Sequence, residues 1–179
     1  RGASVDLPNS HSGTALMATA GCGHPSIALV LLQHSARIDL QDEEGNTALM
    51  AAAHQGQHAC VQALLRAKAN TELLNNKGRT ALMGAAANGN GTCVRALLRA
   101  KANTELLDNE GYTALQCAEA QGHTATVQLI RQHAAPPQPA PAKEAAQAEQ
   151  AAQAARADAA MEKLLAEEAA EKAKAQAPS

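Results

Sequence analysis

The chain has 179 residues, with 15 Lys+Arg against 17 Asp+Glu, and 46% of it is hydrophobic but only 1% aromatic, with one Tyr and neither Trp nor Phe. The apolar content is mostly Ala, Leu and Val, which fits thin helical layers better than one thick aromatic-filled core. A formal charge of −2 offers no basic field for a phosphate backbone, and the apolar run at 27–32 is far short of the roughly 20 residues of a membrane helix. Nucleic acid and membranes are therefore not expected as partners, and with no secretory leader at the start the expected compartment is the cytoplasm or nucleus.

Taken in chain order, residues 1–7 match 67–73, so 1–11 read as the tail of an earlier unit and an upstream repeat is expected. From there the sequence repeats at an offset of 33: Thr14-Ala15-Leu16-Met17, Thr47-Ala48-Leu49-Met50, Thr80-Ala81-Leu82-Met83 and Thr113-Ala114-Leu115-Gln116. The same offset links Gly45, Gly78 and Gly111, and separately Gly23, Gly56, Gly89 and Gly122. A fixed period of this length signals a repeat architecture. The units fall at 12–44, 45–77, 78–110 and 111–133. Segments 60–76 and 93–109 differ only where Gln62 becomes Arg95 and Asn75 becomes Asp108, as expected of a duplicated unit.

Within a unit, Thr47 caps a short helix extending to Gln55, Gly56 breaks it, and a second helix runs from about His58 to Ala67. Val61, Leu64 and Leu65 share one face of that second helix, as do Val94, Leu97 and Leu98. Ala51, Ala52 and Ala53 allow the first helix to approach its neighbours closely. Helices shorter than about 12 residues do not persist alone, so order must come from stacking one unit on the next.

In the last unit Gln116, Thr126 and Arg131 replace Met, Cys and Leu, a shift toward polarity that fits a terminal capping repeat. Residues 134–142, with Pro136, Pro137, Pro139 and Pro141, read as a semi-rigid linker. Beyond it, 143–179 is rich in Ala, Glu, Gln and Lys; such a composition favours helix, and 143–177 fully helical would be about 50 Å long. Met161, Leu164 and Leu165 do not extend into a heptad, leaving a solvated, partly frayed helix, a docking segment centred on those three, or a helical tail folded back over the final repeat.

A 33-residue unit reading G-x-T-A-L-M, Ala-Ala, Gly, V-x-x-L-L and Ala resembles the ankyrin repeat over about residues 1–133. The resemblance implies an all-α solenoid of stacked helix-turn-helix units with hairpin-like tips. T-A-L-M stands where that family has T-P-L-H, losing the Pro that starts the first helix and the His that bonds between repeats. Ser35, Lys68 and Lys101 stand where the family ends its second helix with a left-handed Gly. Strain or an altered cap is expected at all three.

Candidate chemistry is sparse. Cys60 and Cys93 hold equivalent positions in stacked helices about 8–10 Å apart, too far for a disulfide, and read as small buried hydrophobes. No C-x-x-C pair occurs, the seven His are scattered, and Gly56 interrupts the helix that would align His54 with His58. Gly21-Cys22-Gly23 lacks the Lys-Ser/Thr of a phosphate loop. Asn90-Gly91-Thr92 is read as a chance match to a glycosylation acceptor. Glu43 and Glu44 sit in a solvated loop. No catalytic residue, metal or cofactor is assigned.

The resemblance implies that the tips and the exposed face of the first helices line a groove for another protein, in a chain expected to be monomeric. The matching positions are Ser10 and His11; Glu43, Glu44 and Asn46; Asn76, Lys77 and Arg79; and Asn109, Glu110 and Tyr112. His54, Gln55, Asn88 and Gln121 complete it from the helices. The tips run acidic at Asp42-Glu43-Glu44, basic at Lys77 and Arg79, and acidic at Asp108 and Glu110, favouring a partner of opposite alternation. Tyr112 is either an anchor of that interface or simply tolerated at a variable tip. An architectural spacer, or a recruiting module beside an enzyme domain, stays open as an alternative.

Overall fold

The computed structural model describes residues 4–133; the linker expected at 134–142 and the helix expected at 143–179 lie outside the described residues. The described part contains eight helices and no strand: α1 Ala15–Gly21, α2 Pro25–Gln33, α3 Ala48–His54, α4 His58–Arg66, α5 Ala81–Ala87, α6 Gly91–Arg99, α7 Ala114–Ala120 and α8 Thr124–His133.

Each first helix begins at the repeated Thr. Thr14, Thr47, Thr80 and Thr113 have extended backbone and their hydroxyls accept from the N–H of Met17, Met50, Met83 and Gln116 at 3.2–3.3 Å. That bond satisfies one of the donors a helix start leaves open, an effect of about 1 kcal/mol. Gln116 adds a second: its Oε1 accepts from the Thr113 N–H at 2.9 Å, closing a capping box. The second helices α2, α4 and α6 end in a residue at positive φ, Ser35 at 63°, Lys68 at 68° and Lys101 at 64°. There the N–H of Lys68 and Ala69 donate to Leu65 and Leu64, and those of Lys101 and Ala102 donate to Leu98 and Leu97. The expected strain is therefore present and held by a Schellman closure. Ser12, at 57°, is a fourth such residue, standing where later units have Gly45, Gly78 and Gly111.

Two layers result. α1, α3, α5 and α7 stack in one, and α2, α4, α6 and α8 in the other, with each pair packed on itself. Leu16, Leu49 and Leu82, with Ala20, Ala52, Ala53, Ala85 and Ala86, fill the first layer, and Val61, Leu64, Val94 and Leu97 face them from the second. Cys60 and Cys93 are fully buried among them. Burial pushes the Cys60 thiol pKa up, and does the same at Cys93 against a smaller opposing hydrogen bond from Thr92.

The stacking explains where apolar residues stay exposed. Ile27 is 50% exposed and its equivalent Cys60 is 0% exposed, because a preceding helix pair covers α4 while none covers α2 among the described residues. At the other end Gln116 and Arg131 are exposed, and Arg131 pairs with Glu119. Thr126 is buried instead, so of the three polar replacements it does not belong to an outward polar cap.

Candidate functional site

The tips are built by an Asn or Asp at one phase. Asn9, Asp42, Asn75 and Asp108 each accept, through Oδ1, from the backbone N–H two and four residues on, at 2.7–3.0 Å. The loop is closed by backbone bonds such as Asp42 N–H to Asn46 O and Asn75 N–H to Arg79 O. The resulting loops are hairpin-like without strand pairing, since a short polar side chain has replaced the ladder.

Successive tips are then joined. The N–H of Glu43, Asn76 and Asn109 donate to the carbonyls of His11, Glu44 and Lys77, and the side-chain amides of Asn76 and Asn109 donate to the carbonyls of Glu43 and Asn76. A second rail lies behind: Asp6, Asp39 and Glu72 accept from the N–H of Arg37, Asn70 and Asn103, each at 3.0 Å. A third joins the helices, where Gln57 and Asn90 donate to Gly21 and to Ala53 and His54, and His123 Nε2 donates to Ala87. The Asn90 amide of the glycosylation-like triplet is thus committed to two carbonyls.

Between the tips and the first-helix layer lies a cavity of about 740 Å³. Glu43, Glu44, Asn46, Asn76, Lys77 and Arg79 line its tip side, and His54, Gln55 and Asn88 its helix side. Its floor is Met17, Met50, Ala51 and Gly84, residues whose groove role the spacing alone does not disclose. Asn109, Glu110, Tyr112 and Gln121 are not among its lining residues. Tyr112 is 44% exposed, and its N–H donates to Asp108.

Several polar groups expected to face a partner are engaged within the chain. Asn46 Oδ1 accepts from Asn75 and its Nδ2 donates to Glu44, while Asn88 Nδ2 donates to the Gly84 carbonyl. Arg79 Nε lies 3.1 Å from Asp108 Oδ2, whose side chain is 1% exposed. The alternation of tip charge is accordingly corrected at Asp108, which is buried structural charge and not an acidic outer tip. Burial works to raise its pKa, but bonds from the Tyr112 N–H, Arg79 and the Glu110 N–H, with the Arg79 charge, hold the carboxyl below its usual range. Glu43, Glu44 and Lys77 remain exposed.

Among the described residues no cluster of three His, Cys, Asp or Glu is placed to hold a metal, and no helix is long and apolar enough to cross a membrane. The family model described as ankyrin repeats (3 copies) matches residues 1–73 and 56–139. No curated protein matches the chain.

Proposed function

The chain belongs to the ankyrin repeat family, whose repeats generally serve in protein–protein interaction, and we propose that it binds a partner protein without catalysis through the cavity between its tips and first helices. The carrying observation is that cavity, about 740 Å³, with an apolar floor and exposed charge of both signs at Glu43, Glu44 and Lys77 on its rim. An apolar recess with a few oriented polar groups is the usual form of a binding site. Gly84 adds to the reading. It lies inside α5, where Gly is about 1 kcal/mol worse than Ala, yet a methyl there would make only an ordinary 3.9 Å contact with His54 Cβ. Ala18 and Ala51 occupy the equivalent places. Stability is given up where the groove floor is widened, as expected of a surface that receives a side chain.

The partner is a protein segment with a basic group toward Glu43 and Glu44, a large apolar side chain over Gly84 and an acidic group toward Lys77. Asn46, His54, Gln55, Asn76, Arg79 and Asn88 shape the walls, with Asn109, Glu110, Tyr112 and Gln121 as an outer extension, and the chain acts as a monomer in cytoplasm or nucleus. Cross-linking from native lysate would identify the partner, and the purified pair would then be titrated with Lys77→Glu, Glu43→Lys and Gly84→Ala. Each is expected to weaken binding about 10-fold, with Gly84→Ala as stable as the parent or more so. Unchanged affinity in all three, or no specific partner, would leave the repeats as a spacer.

A further inference from the structure

A second recess lies in the other helix layer, between α4 and α6, with a volume of about 290 Å³. Arg66, Arg95 and Arg99 line it above a floor of Leu65, Ala96 and Ala100. All three arginines are exposed, and among the described residues none of them enters an ion pair.

Local structure accounts for two of these charges. Arg66 and Arg99 stand in the last turns of α4 and α6, where a cation complements the open carbonyls. Arg95 stands in the interior of α6 and has no such role. It is also one of the two departures between the otherwise identical segments 60–76 and 93–109. The other departure, Asp108, brings a charge that Arg79 neutralises inside the fold. Arg95 brings one that only adds to like neighbours, which raises the free energy of the unliganded surface and lowers it when an anion enters.

We propose that this recess docks an acidic amphipathic helix of a partner protein, its carboxylates on Arg66, Arg95 and Arg99 and one aliphatic side chain on the Leu65–Ala96 floor. The guanidinium fork suits carboxylates two oxygens at a time, and the apolar floor calls for an aliphatic side chain between them. Three arginines are few beside the roughly 6–10 phosphate contacts of a strongly salt-dependent duplex binder, and the recess itself holds the aliphatic side chain while the carboxylates lie along its arginine rim.

The test is fluorescence anisotropy of the full 179-residue chain with a labelled, capped Glu/Leu/Ala helical peptide of about 15 residues. The variant is Arg95→Gln, which installs the residue the fold already carries at position 62, so folding is preserved by precedent within the chain. Saturable binding is expected, weakened about 5- to 10-fold by Arg95→Gln, lost when Arg66 and Arg99 also become Gln, lost when the peptide's Glu become Gln, and unaffected by Lys77→Glu in the groove. Absence of saturable binding at about 1 mM peptide, indifference to Arg95→Gln, or tighter binding to phosphatidylserine vesicles or a DNA duplex than to the peptide would overturn it.

Discussion

Arg79 and Asp108 belong to successive tips and meet at 3.1 Å with the carboxylate buried. Asn75, which holds the equivalent place one unit earlier, makes the same two turn bonds without charge. The native carboxyl has a lowered pKa, so its stabilisation is present above the unfolded value near 4 and fades as pH falls through the lower folded value. Asp108→Asn should therefore cost about 1 kcal/mol at neutral pH, with the gap to the parent closing in acid. Urea unfolding at pH 7 and near pH 3 checks this; a gap independent of pH would show that the charge contributes nothing.

Burial separates the cysteines. Cys60, Cys93 and Cys117 are buried, and burial is the largest cause of the raised pKa at all three, with Asp108 adding to it at Cys117. Cys22 is exposed. Because the thiolate is the reactive form, a maleimide should modify Cys22 rapidly in the native chain and the other three only on unfolding. Mass spectrometry of a time course counts the adducts, and fast labelling at a second site would contradict the burial.

Lys101 closes α6 at a φ of 64°, a conformation that costs a side-chain-bearing residue about 1 kcal/mol relative to Gly. Lys101→Gly should stabilise the fold by about 0.5 kcal/mol once the greater freedom of Gly in the unfolded chain is deducted. Lys101→Val should destabilise it by more than 1 kcal/mol, since a β-branched side chain is the worst suited to that region. Thermal melts of the two variants should move in opposite directions.

Much of the scaffold is legible in residue order because its causes are local. A Thr three residues before a helical N–H, a Gly that breaks the helix, and Val and Leu at i, i+3 and i+4 act within one or two turns, so the helix pairs and caps follow from spacing. The family assignment rests on the same phase. The recurring Asn or Asp at 9, 42, 75 and 108 is equally periodic and marks Asp108 as a turn-former bonded to its own loop, although its burial, which the exposed Asn9 does not share, comes only with Arg79 of the preceding tip.

The functional surface is less legible, because it depends on what a side chain meets 29 to 37 residues away. Asn76 and Lys77 are neighbours in one tip, yet Asn76 spends its amide on the Glu43 carbonyl while Lys77 stays at the rim. Arg79 and Arg95 carry the same charge, yet one is answered by Asp108 and the other, among the described residues, by no carboxylate. The sequence by itself determined the period, the helix pairs and their buried faces, since these arise from contacts between near neighbours in the chain. Only the tertiary structure decided which polar groups are consumed in joining one unit to the next and which are left facing outward, since that is set by the distance and direction between stacked tips.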